Sequence, residues 1–156
     1  LGDRKDRSPV ASGFSARSSE DKRMTLSGTK VLVVDDDPDS RELIGEILIQ
    51  YEADVVTAAG AAEGLERLKS HRPDVMISDI GMPGKDGYQL IREVRSLPAS
   101  HGGAIPAMAL TAFAGAGDRD RAMAAGYQMH LAKPVGSREL IAAIAGLTER
   151  MQKPAM

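Results

Sequence analysis

Cysteine and tryptophan are both missing from this 156-residue chain. Without cysteine there is no disulfide, no thiolate zinc site and no thiol nucleophile, a profile that suits a reducing, cytoplasmic setting. Aromatic residues are scarce, with three Tyr and two Phe, so a core must come from Val, Ile, Leu, Ala and Met. No aromatic platform is left for stacking bases. A formal net charge of -2 offers no basic footprint, and direct nucleic-acid binding is not expected. No apolar run approaches membrane-spanning length. The N-terminus lacks the apolar stretch of a secretion signal, so no membrane contact is expected.

What is present is ordinary for a soluble domain, 42% hydrophobic and 27% charged, and the length suits one core. Charge divides unevenly, because residues 1–29 hold six Lys or Arg against four Asp or Glu, leaving fourteen against eighteen for the rest. The first 29 residues read as a flexible tail or interdomain linker, residues 30–150 as the folded domain and 151–156 as a frayed end. The chain opens on Leu1, which suggests a piece of something longer; a native start at Met24 after an added extension is the alternative.

From Lys30 onward, short apolar runs alternate with helical spacing. Lys30–Val34 predicts a strand, and Asp37-Pro38-Asp39-Ser40 supplies a helix start, followed by Leu43, Ile44, Ile47, Leu48 and Tyr51 on one face. A shorter strand, Asp54–Ala58, precedes a helix over Ala61–Leu68 that closes near His71-Arg72-Pro73. Val75, Met76 and Ile77 read as a buried strand opening at Asp79 into a loop rich in Gly and Pro. A third helix follows with Tyr88, Ile91 and Val94 inward, then a strand over Ile105–Leu110. A fourth helix from Asp118 to Ala125, mostly alanine, should be the least anchored. The last strand ends at Ala132, and Ser137 caps a final helix with Leu140, Ile141, Ile144 and Leu147 inward. Strand then helix, five times over, predicts a doubly wound α/β fold, a five-stranded parallel sheet with five helices.

The polar residues at the strand ends carry the functional signal. Asp35, Asp36, Asp79, Thr111 and Lys133 each close an apolar run, and ligands of open parallel sheets bind outside the carboxyl ends of the strands. Two carboxylates about 4 Å apart repel by about 4 kcal/mol at an effective dielectric near 20, so Asp35, Asp36 and Asp79 need a proton or a cation. Oxygen-only ligands point to Mg2+. With Lys133 as a second positive charge and Thr111 as a hydroxyl donor, the set suits phosphoryl transfer, with Asp79 as nucleophile.

In order along the chain, Val31-Leu-Val-Val-Asp-Asp-Asp-Pro, Asp79-Ile-Gly-Met-Pro-Gly-Lys-Asp-Gly, Leu110-Thr-Ala and Lys133-Pro resemble the receiver domain of two-component response regulators, over nearly all of residues 30–148. The resemblance implies a flavodoxin-like sheet in the order 2-1-3-4-5 and Asp79 as acceptor of a phosphoryl group from a phosphohistidine. It further implies Mg2+ held by Asp36, Asp79 and the Gly81 carbonyl with Asp35 assisting, phosphoryl contacts from Thr111 and Lys133, and a cis Lys133–Pro134 bond. Partners would be a histidine kinase or a histidine phosphotransfer domain, with room for a weak homodimer. Where the family usually carries Tyr or Phe three residues before the lysine, this chain has His130, so Phe113 becomes a candidate to share the switch with Thr111 and His130.

The wording of the last third is similar to receivers of hybrid sensor histidine kinases, whose full-length parent would be a kinase. The domain by itself is expected only to catalyse its own phosphorylation and dephosphorylation. A stand-alone single-domain regulator is the alternative. Two other readings stay open: a haloacid-dehalogenase-type phosphohydrolase using Asp35 as nucleophile and Asp37 as acid-base, and a flavodoxin-type binding module. The partner face is expected around the first helix, with Ser40 and Arg41 as probes.

Overall fold

In the computed structural model, residues 25–112 and 116–152 are described. The elements are β1 (Lys30–Val34), α1 (Pro38–Gln50), β2 (Asp54–Ala58), α2 (Ala61–His71), β3 (Val75–Asp79), α3 (Gly87–Arg95), β4 (Ala107–Thr111), α4 (Ala116–Ala125), β5 (Met129–Ala132) and α5 (Ser137–Gln152). A single 3-10 turn, Ala99–His101, sits between α3 and β4. All four strand pairings are parallel, in the order β2-β1-β3-β4-β5. Order and helix number are those the sequence led us to expect.

The pleat explains why the strands read as continuous apolar runs: in a sheet covered on both sides, each face needs its own core. Val31, Val33, Val75, Ile77, Met108 and Leu110 face α1 and α5, where they meet Ile44, Leu48, Leu140, Ile141 and Ile144. Leu32, Val34, Met76, Ala107 and Ala109 face the other way, onto Leu68, Leu90, Ile91, Val94 and Ala122 of α2, α3 and α4. Because β1 lies between β2 and β3, the chain moves off in opposite directions from β1 and from β3. The strand ends there form a crevice, the position where such sheets bind ligands.

Several boundaries differ from the expectation. Residues 25–29 belong to the fold: Leu26 is buried, its N–H donates to the Tyr51 carbonyl at 2.7 Å, and Asp54 N–H donates to the Thr29 carbonyl at 2.9 Å. One apolar side chain flanked by serine, glycine and threonine gives no periodic signal. The second helix runs on to His71, stopped by Arg72 in the left-handed region (φ 51°) just before Pro73. The last helix reaches Gln152, two residues into the end expected to fray, and the fourth starts at Ala116. Phe113 lies outside the described residues, as do residues 1–24 of the expected linker.

Local chemistry sets the helix starts beside the crevice. Asp37 caps α1 by accepting from Asp39 N–H, with Pro38 at the first helical position. At α3, Asp86 accepts from Gln89 N–H while the Gln89 side chain accepts from Asp86 N–H, a complete capping box. Gly87 opens α3 against the end of β3: a Cβ there would lie 2.5 Å from the Asp79 carbonyl oxygen. Among the described residues no helix is long and apolar enough to cross a membrane.

Candidate functional site

Asp79, the last residue of β3, retains 8% of its exposure. Asp35 follows β1 directly and is fully buried; Asp36 beside it is half-buried. One oxygen from each of the three lies within 4.8 Å of the others. Residues 44 positions apart in sequence meet because β1 and β3 are neighbours in register, Val34 opposite Ser78.

Burial first, and then the like charges of Asp35 and Asp36, push the Asp79 carboxyl above the usual aspartate range, while Lys133 pulls the other way. Three carboxylates in one partly dry pocket leave excess negative charge that one lysine does not neutralise. The donor set is all oxygen and open on the Asp36 side, so it fits a hard divalent cation. Gly81 stands two residues past Asp79 in the exposed β3–α3 loop, where its substitution would meet no steric obstacle within 4 Å.

Lys133 reaches this cluster from β5. Its N–H donates to the Thr111 carbonyl at 2.8 Å, which locks the lysine to the end of β4, and the Lys133–Pro134 bond is cis. The ammonium sits 2.9 Å from Asp35 Oδ2 and 3.6 Å from Asp79 Oδ1. Burial opposes its charge, but the hydrogen bond and charge of Asp35, with Asp79 behind them, outweigh that and move the amine upward. Thr111 is buried at the end of β4, opposite Ala132 in register.

Asp35 is held on every side. Oδ1 accepts from Asp37 N–H at 3.0 Å, Oδ2 accepts from Ser40 Oγ at 2.8 Å as well as from Lys133, and the Asp35 carbonyl accepts from Arg41 Nη1 at 2.7 Å. Ser40 and Arg41, expected as probes of a partner face, therefore turn inward. Nothing in the sequence marked Ser40 as a neighbour of Asp35 beyond its place one helical turn past the cap. His130 is half-buried in β5, and its Nε2 is buried without a hydrogen-bond partner among the described residues. His71 ends α2 and His101 lies in the 3-10 turn between α3 and β4, both at the opposite end of the sheet.

The fold and site define a class: a doubly wound α/β protein whose carboxyl edge gathers an aspartate cluster and a lysine. The chain belongs to the response regulator receiver domain family, whose model matches residues 31–145; it is a receiver of two-component signalling. It is 44% identical over 117 residues to a 14.6 kDa protein of Leptolyngbya boryana, covering 75% of this chain and 88% of that protein. It is 31% identical over 143 residues to the sensor histidine kinase GacS of Pseudomonas protegens, covering 89% of this chain but 16% of the kinase. Among solved structures, the receiver domain of a Pseudomonas aeruginosa sensor histidine kinase, with a magnesium ion in its active-site cleft, matches with a TM-score of 0.72 and 30% identity, over 79% of this chain and 99% of that one.

Proposed function

We propose that Asp79 is the phosphoacceptor and that the donor is a phosphohistidine on a histidine kinase or phosphotransfer domain. The observation that supports this most directly is the meeting of Asp35, Asp36 and Asp79 within 4.8 Å, with Lys133 3.6 Å from Asp79. An Asp79 oxygen attacks phosphorus, the P–N bond breaks, and the imidazole leaves with the bonding pair. Asp36, Asp79 and the Gly81 carbonyl would hold Mg2+, with Asp35 assisting. Bound there, the ion would neutralise charge on the transferred phosphoryl oxygens. Lys133 and Thr111, on adjacent strand ends, would hold the phosphoryl group once it is in place, and His130 would take part in the switch.

The competing assignment, Asp35 as a phosphohydrolase nucleophile, is disfavoured by its surroundings. Both of its oxygens are engaged by donors, and Asp37 is occupied as a helix cap. The context we favour is the receiver part of a hybrid histidine kinase, as in the Pseudomonas relatives. Incubation with acetyl phosphate and Mg2+ tests the acceptor: intact mass should rise by one phosphoryl group in the wild type and stay constant in Asp79→Asn. A phosphorylated Asp79→Asn protein, or label mapped to Asp35, would overturn the assignment.

A further inference from the structure

We infer that Ser40 is a positioning residue for phosphoryl chemistry at Asp79, acting through Asp35 to release Lys133 from one carboxylate to the other. The inference rests on the reading of Asp79 as acceptor. Lys133 is within hydrogen-bond distance of Asp35 Oδ2 at 2.9 Å, whereas Asp79 Oδ1 is 3.6 Å away. Before the reaction, then, the lysine belongs to Asp35. A phosphoryl group on Asp79 adds charge there and draws the ammonium across.

Its departure would strip a donor from an oxygen that water does not reach, since Asp35 is 0% exposed. A buried carboxylate oxygen without a donor is costly, so the lysine would be held back. Ser40 removes that obstacle. Its hydroxyl donates at 2.8 Å to the same Oδ2, while Oδ1 keeps Asp37 N–H at 3.0 Å. Asp35 thus stays satisfied on both oxygens after the lysine moves. The shared oxygen also gives part of its lone-pair density to Ser40, which weakens its hold on Lys133 beforehand. The same three donors leave Asp35 little capacity for direct metal coordination, so the hydroxyl should bear on lysine transfer rather than on cation affinity.

The reaction to follow is phosphorylation by acetyl phosphate. An Asp79 oxygen attacks phosphorus, the bond from phosphorus to the acetyl oxygen breaks, and acetate leaves with the electron pair and no proton transfer. Wild type, Ser40→Ala and Ser40→Thr would be compared as full chains by intact mass over time with Mg2+. Mg2+ affinity would be measured separately by calorimetry without phosphodonor. Ser40→Ala should be phosphorylated about tenfold more slowly, the factor of one charge-assisted hydrogen bond, while binding Mg2+ as tightly as before. Ser40→Thr, which keeps the hydroxyl, should recover most of the rate. Wild-type rate in Ser40→Ala, a rate in Ser40→Thr as low as in Ser40→Ala, or Mg2+ affinity falling in step with rate would each overturn the inference and leave Asp79 as acceptor intact. A wild type that gains no phosphoryl group at Asp79 would overturn both.

Discussion

Asp35 and Asp79 are the same residue type a few ångströms apart, and their surroundings divide the work between them. Asp35 has three donors on its carboxylate; Asp79 has the longer lysine contact, a second carboxylate, Asp36, beside it, and a carboxyl raised first by burial. On the proposed function, the more weakly satisfied acid would be the better nucleophile and cation ligand. Tyr127 shows a related effect: its buried hydroxyl donates to the Gly87 carbonyl at 2.8 Å, and burial raises its pKa well above the ordinary tyrosine value. A raised folded-state pKa contributes stability that is complete below about pH 10 and is lost as pH rises toward the folded value. Tyr127→Phe should cost about 1–3 kcal/mol at neutral pH, because the Gly87 carbonyl loses its partner. It should also make the alkaline fall in stability shallower. Denaturant melts at pH 7 and above pH 10 check both; an equally steep alkaline limb would refute the assignment.

Helix ends decide how the elements meet the site. The Asp86–Gln89 box fixes α3 immediately after the loop that carries Gly81, so Asp86→Ala should cost about 1 kcal/mol and lower Tm by a few degrees, measured by thermal melts. An unchanged Tm would mean the box contributes nothing. The fourth helix has a different character. Ala122 is the one fully buried residue among its described side chains, and Arg121 stacks over the Tyr88 ring at 4.3 Å. Its alanine-rich wording had already announced a thin contact with the sheet. Standing directly downstream of Thr111, it is the element best placed to shift when the strand-end chemistry changes.

At the scale of the molecule, the sheet separates a chemical end from a supporting one. The chemical end opens onto an apolar groove of about 350 Å³ between α1 and the segment after Lys133, lined by Leu43, Ile47, Pro134 and Val135. Leu43 is 56% exposed there, on the same helix that supplies Ser40. A helical partner carrying a phosphohistidine would cover this groove. Leu43→Asp should therefore slow transfer from such a partner about tenfold or more, and slow acetyl phosphate labelling far less, in parallel time courses. Equal effects on both donors would remove the groove from the docking face.

Much of this protein was written in its chain order. Apolar runs ending in Asp35, Asp79, Thr111 and Lys133 announced a parallel sheet with a polar carboxyl edge, because burial on both faces demands continuous apolar strands and ligands collect where they end. Side-chain partnerships were another matter. That Lys133 sits closer to Asp35 than to Asp79, 98 positions against 54, and that Ser40 turns inward to share the same oxygen, depend on distances of a few tenths of an ångström. Only the packed sheet sets such distances, because local propensity and periodicity report which way a segment folds and carry no information about which lone pair a distant donor will find.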